Sequence, residues 1–146
     1  MADAYVNSSS PTTNFGTSTA LRVDHSPLLN SYLKFNVTGL SGVPAQVTLR
    51  LFANSTSSTG VNVSTVSNTS WGETTITYSN APAINGSVAG SSGTIQTTNT
   101  FISINVTSLV SGNGTISMAF TTTNTTAISV ASRETGANSP QLVIQP

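Results

Sequence analysis

The sequence predicts an all-β fold, an antiparallel β-sandwich or barrel, and three observations carry that prediction. Apolar and polar residues alternate with a period of two along most of the 146 residues, the spacing of strands buried on one face. Clusters rich in Gly, Asn and Ser recur between these runs, where turns are needed. Charged side chains make up only 5% of the chain while Ser, Thr, Asn, Gly and β-branched residues dominate. Disordered chains are usually rich in charge and poor in β-branched residues, so this one is read as folded.

Each element follows from its parity. Ala2-Asp3-Ala4-Tyr5-Val6 reads as the first strand. Leu21 and Val23 flank Arg22; Leu33, Phe35 and Val37 alternate with Tyr32, Lys34 and Asn36; Val47, Leu49 and Leu51 alternate with Thr48, Arg50 and Phe52. Further strands are read at Val61 and Val63, at Ile76 and Tyr78, at Ile102, Ile104 and Val106, at Ile116, Met118 and Phe120, and at Leu142 and Ile144. Turns are read at Asn14-Phe15-Gly16, Thr38 to Gly42, Asn85-Gly86, Gly90 to Gly93, Gly112-Asn113-Gly114 and Gly136-Ala137-Asn138. About ten short strands joined this way form a two-layer or closed antiparallel architecture. The expected interior is Leu33, Phe35, Val37, Leu49, Leu51, Ile104, Ile116, Met118, Phe120 and Leu142. One helical turn is expected at Asn105 to Val110, with Thr107 as its cap, and a mobile loop from Ala83 to Thr100.

Length and composition bound the function. One domain, residues 1–146, is the natural count and is long enough to bury a core. Formal net charge is zero, which removes the bulk attraction that non-specific nucleic-acid binding needs. There is no Cys, so disulfides, thiolate chemistry and Cys-ligated zinc are excluded. No apolar run approaches the roughly 20 residues of a membrane helix, and no membrane insertion is expected. Met1 leads directly into a strand-like run without a signal peptide, which suits an excised module. The Ser/Thr/Asn excess and the shortage of Lys and Glu point to an extracellular or cell-surface setting. Nine N-x-S/T triplets are what such a composition yields by chance.

Few residues are available for chemistry. His25 lies beside Asp24 and Ser26, but a triad converges from separate elements and this trio is contiguous. Asp3, Glu73 and Glu134 are the other carboxylates. They would serve a structural calcium ion together with backbone carbonyls, or glycoside hydrolysis if two of them stood about 5–9 Å apart. The simpler expectation is that Glu73 and Glu134 pair with Arg22 or Arg133 and lock loops. Apart from that structural calcium ion, no cofactor is expected. Arg22, Lys34 and Arg50 hold the outward parity of their strands, with Tyr32 beside Lys34 and Phe52 beside Arg50. Cations next to aromatics on one flat sheet face would hold an acidic polysaccharide, the charges meeting carboxylates and the rings stacking on sugars. Outward strand positions are also where any protein places Arg and Lys. Trp71, the single Trp, is expected to be partly buried at a sheet edge.

The stretches ADAYVNSSSPTTNFGTSTALRV, SYLKFNVTGLSG, VTLRLF, WGETTITYSNAPA, INVTSLVSGNGTISMAF and SVASRETGANSPQLVI run nearly end to end. In that order they resemble the DNRLRE-type domain, also classed as carbohydrate-binding module family 96 and related to the disaggregatase repeat of archaeal surface proteins. The resemblance implies a jelly-roll-like β-sandwich on secreted or cell-surface proteins. It also implies a non-catalytic module, attached to polysaccharide-degrading enzymes or arrayed in adhesive chains, some members binding acidic polysaccharide such as alginate. Arg22 in LRV, Lys34 in SYLKF and Arg50 in TLRLF fall at the basic strand positions of the family pattern. The chain departs from it with Asn36 and Asn105 where relatives often carry Asp, and Tyr78 where Trp is common. The first expectation is therefore a carbohydrate-binding module for a polysaccharide, anionic by its basic positions, with Arg22, Lys34, Arg50, Tyr32 and Phe52 as ligand-binding residues. The alternative is a structural or adhesive subunit of a cell-surface stalk or pilus-like filament, self-associating through strand edges. Sugar binding on a sheet face and pairing through edges are what separate the two.

Overall fold

The computed structural model describes residues 1–146. Strands β1 (Ala2–Asn7), β2 (Ala20–His25), β3 (Leu28–Val37), β4 (Gln46–Ala53), β5 (Asn62–Thr65), β6 (Val88–Ser91), β7 (Thr100–Asn105), β8 (Gly114–Thr121), β9 (Ile128–Ala131) and β10 (Gln141–Gln145) form one antiparallel system. Their order is β10-β4-β9-β2-β3-β8-β5-β6, with β1 on β3 and β7 on β4.

This sheet curls over its own core because β2 serves two neighbours. Ala20 to Val23 pair with β9, whereas Asp24 and His25 pair with β3. One half is thereby built around β3, with β1, β8, β5 and β6; the other is built around β4, with β7, β9 and β10. Leu33 and Met118 from the β3 half meet Leu49, Leu51, Ile104 and Val130 from the β4 half in one cluster of 18 buried residues. The parity of the sequence places Leu33, Leu49, Leu51, Ile104 and Met118 inward correctly; Val130 lies on β9, a strand it does not read. Phe35, Ile116 and Leu142, also expected inside, are only partly buried at its margin.

A second, smaller cluster lies on the opposite side of the β3 half. Ala4, Val6, Tyr32 and Ala119 come from strands, and Val66, Trp71 and Ile76 come from the long connection between β5 and β6. That connection, residues 66–87, lies over the outward face of β1, β3 and β8. The strand expected at Ile76 and Tyr78 is therefore corrected: the stretch forms turns, and its apolar residues are buried by covering a sheet. The loop expected from Ala83 to Thr100 is corrected as well. It contains β6, paired with β5, and Ile95, which is buried and bridged to Ser57. The helical turn stands as a single 3-10 turn at Thr107–Leu109, but Thr107 does not cap it. Asn105 accepts hydrogen bonds from the Thr107 N–H and hydroxyl, and Thr107 Oγ1 accepts from Val47 N–H.

Candidate functional site

The motifs of the sequence converge on the covered face. Asn14, in TNFG, donates from Nδ2 to the carbonyls of Glu73 (2.9 Å) and Ile76 (2.8 Å) and accepts from Gly16 N–H (2.9 Å). A Cβ at Gly16 would stand 1.9 Å from the Glu73 carbonyl oxygen, so only glycine allows this approach. Asp3 N–H donates to Glu73 (3.0 Å), the Arg133 guanidinium donates through two nitrogens to the Glu73 carboxylate, and Asp3 accepts from Arg133 N–H (2.8 Å). Such bidentate charge-assisted bonds are the strong ones. The first strand, the WGETTITY stretch and the SRE stretch are thus tied together. Glu73 pairs with Arg133, as one of the two expected arginines, and Glu134 stands 3.6 Å from the same guanidinium.

The electrostatics follow from burial. Asp3 is 1% exposed and one of its oxygens has no partner, so desolvation pushes its carboxyl up to about 6, with the Arg133 N–H opposing and Glu73 adding to the rise. Hydrogen bonds from Arg133 hold Glu73 below the usual carboxylate range, and Glu73 in return raises Arg133. No group of three His, Cys, Asp or Glu side chains converges on one point.

Lys34 and Tyr32 belong to this covered face, which corrects the expectation that the three basic strand residues share one surface. Lys34 Nζ donates to the carbonyls of Thr69 (3.0 Å) and Trp71 and lies 4.5 Å from the Trp71 ring centroid. Tyr32 is buried, donates from its hydroxyl to the Pro82 carbonyl (3.0 Å) and meets Trp71 edge-on, and burial raises its phenol to about 12. Trp71 donates from Nε1 to Ser117 Oγ (2.8 Å) and is buried over the sheet, not at its edge.

Arg22, Arg50 and Phe52 lie on the outward face of the β4 half. Residues directly opposite across an antiparallel pair share a face. Arg50 stands opposite Gln141 of β10 and Ser103 of β7, and Phe52 stands opposite Phe101 of β7. Arg22 stands opposite Ser129 of β9, whose hydroxyl accepts from Asn54 Nδ2 (3.1 Å), two residues beyond Phe52. Arg50 donates to Gln141 Oε1 (2.7 Å), and its guanidinium carbon lies 4.4 Å from the Phe101 ring centroid. Phe101 meets Phe52 edge-to-face at 5.3 Å and 78°. Arg50, Phe52 and Phe101 are each half-buried, whereas Tyr32 is buried. Phe101 and Gln141 were not singled out by sequence reasoning. Phe101 was legible, because it has the parity opposite to Ile102 and Ile104; the contact of Gln141 with Arg50 joins positions 91 residues apart, which no local pattern reveals.

The outward β4 face thus bears a guanidinium on an aromatic pair. His25 is exposed at the end of β2, and Asp3 and Glu73 are both engaged by Arg133. The profile of carbohydrate-binding module family 96 matches residues 1–146, and the chain belongs to that family. It is also similar to a gellan lyase from a Bacillus species, 28% identical over 127 residues that cover 78% of this chain. The match spans 5% of the length of that lyase. No helix is long and apolar enough to cross a membrane.

Proposed function

We propose that the chain is a non-catalytic, extracellular carbohydrate-binding module, residues 1–146 forming one jelly-roll-like sandwich, and that its outward β4 face binds an anionic polysaccharide. The observation that carries this reading is the Arg50–Phe101–Phe52 cluster on the outward β4 face, where these side chains stay partly exposed. Its rings offer apolar surface to the C–H faces of sugars, and Arg50 offers free N–H donors to a carboxylate. Family membership supports a carbohydrate ligand, and similarity to a lyase named for gellan makes gellan a natural first probe. Neither Lys34 nor Tyr32 is part of this surface: both are spent on holding residues 66–87 in place.

Calorimetric titration with gellan and with uronate polymers tests the reading. Binding is expected to weaken as salt rises, since contacts between exposed charges are screened beyond a Debye length of about 8 Å at physiological ionic strength. Replacing Arg50 with Gln should raise Kd about tenfold, as expected for the loss of one charge-assisted contact, with the melting temperature nearly unchanged. Equal affinity in the Arg50→Gln variant sinks this assignment.

A further inference from the structure

Residues 66–87 do more than cover the β3 half: their outer side carries a pocket of about 250 Å³. Its walls are Asn68, Ser70, Thr75 and Asn80, and Trp71 and Pro82 supply apolar surface. No ionisable side chain lines it, in contrast to the arginine-bearing face across the molecule. The geometry points to a second, separate site here, for one neutral sugar unit.

Three features support that ligand class. The first is size: the pocket falls just below the roughly 300–1,000 Å³ typical of drug-sized ligands and admits a single ring. The second is that the polar walls are held in place by their own hydrogen bonds. Asn68 Oδ1 accepts from Ser70 N–H and from Ser70 Oγ, both at 2.8 Å. Asn80 Oδ1 accepts from Thr77 N–H (2.7 Å), and its Nδ2 donates to the Thr75 carbonyl (3.0 Å). These bonds leave both N–H donors of Asn68 and the lone pairs of Ser70 unused, a mixture of donors and acceptors that suits sugar hydroxyls. The third is that Trp71 is fixed from behind by Ser117 and by Lys34, so the pocket is pre-formed. Pre-formed sites with an apolar base and a few convergent polar groups are what small ligands require. An uncharged lining selects neutral sugars over uronates, because the nearest cation, Lys34, lies outside the lining and is engaged by the Thr69 and Trp71 carbonyls.

This inference rests on the carbohydrate-binding reading but not on the anionic face, and one reporter keeps the two apart. Trp71 is the only Trp in the chain and lines this pocket, so its indole N–H gives a single resolved reporter beside it, and the two pocket variants assign any shift to the pocket. Titrating the intact protein with glucose, galactose, mannose and rhamnose should shift that resonance saturably for at least one of them, with Kd on the order of 1 mM for so small a ligand. Glucuronate should produce no shift. Asn68→Asp keeps the acceptor that orders Ser70 and removes the two free donors, while Ser70→Ala removes the hydroxyl. Each is expected to weaken binding at least fivefold at an unchanged melting temperature, and Arg50→Gln should leave it intact. No saturable shift with any of the four sugars overturns the proposal. So does a shift of full affinity in both pocket variants, or one that vanishes with Arg50→Gln. None of these results bears on uronate binding at the β4 face, which is measured by titration of the polymer.

Discussion

The two outward faces of the curled sheet carry the same chemical pair and put it to different uses. On the β3 half, Lys34 lies 4.5 Å from the Trp71 ring; on the β4 half, Arg50 lies 4.4 Å from the Phe101 ring. Cation–π contacts of this kind are worth more as they are desolvated. At Trp71 the ring is supplied by residues 66–87, and the contact is joined to carbonyl and Ser117 hydrogen bonds, so it holds that segment to the sheet. At Phe101 the contact is half-buried, and it is the one proposed to meet a ligand. Strand parity tells which side of a sheet a residue occupies, and it is silent on what else lies there.

The largest expected effect breaks the covered side. Trp71→Ala removes the centre of the seven-residue cluster on the β3 half and should cost about 3–5 kcal/mol of stability. Phe101→Ala, on the open face, should cost no more than about 1 kcal/mol, in the range of a cross-strand aromatic pair. Chemical denaturation of the two variants measures the contrast directly, and similar losses would show that the open face is structural too. Gly16→Ala comes next. Its Cβ would collide with the Glu73 carbonyl, forcing backbone to move at a cost of about 1–3 kcal/mol. Because Gly16 lies on the loop that Asn14 ties to residues 66–87, the loss should appear together with a disturbed Trp71 fluorescence.

What was legible in the sequence divides along the same line. The inward set came from period-two spacing alone, since Leu33, Leu49, Leu51, Ile104, Met118 and Phe120 all sit in the core. The open face was partly legible by the same rule, through Arg22, Arg50 and Phe52. The covered face was not. Tyr32 and Lys34 have outward parity, yet a segment about 40 residues later in the chain lies over them, and that burial depends on long-range packing with no local period. The stretch WGETTITY misled in a related way. Its alternation at Ile76 and Tyr78 imitates a strand, but the turn hydrogen bonds of Thr75 and Ile76 to Gly72 and the clamp from Asn14 shape it as a cover.

Titration separates the faces more finely. None of the four acidic residues lies on β4, β7, β9 or β10, whereas Asp3 is bonded to Glu73 of the 66–87 connection and to Arg133 of the SRE turn. Asp3 ionises near 3.8 when unfolded and near 6 in the folded protein. Between those values the unfolded chain binds fewer protons, so stability from this group falls as pH rises from about 4 to about 6 and is level above that. Glu73 acts with the opposite sign. Its carboxyl is held below 4.5, so its contribution is present above that value and is lost as pH falls through its lower, folded one. In melts taken from pH 3 to pH 7, Asp3→Asn should remove the decline between about 4 and 6 and Glu73→Gln the loss on the acid side. An Asp3→Asn variant whose melting profile keeps the same decline would assign it to another group.

The smallest effect tests how far the open face extends. Arg22 is exposed, and its side chain makes no hydrogen bond or ion pair. From Arg50 it lies two inter-strand spacings across, through β9, and about four residues along the strands. At about 4.8 Å per spacing and 3.3 Å per residue that is roughly 16 Å, about twice the Debye length of about 8 Å. The two arginines therefore act on a polymer as separate contacts and do not reinforce one another on a short one. Arg22→Gln should change stability by less than about 0.5 kcal/mol, as surface changes do. A uronate disaccharide should bind this variant and the parent equally, while a long chain that reaches both positions should bind the variant about two- to threefold more weakly. Equal losses for short and long ligands would place Arg22 and Arg50 in one compact site. No loss with either would confine the ligand to the Arg50–Phe101–Phe52 cluster.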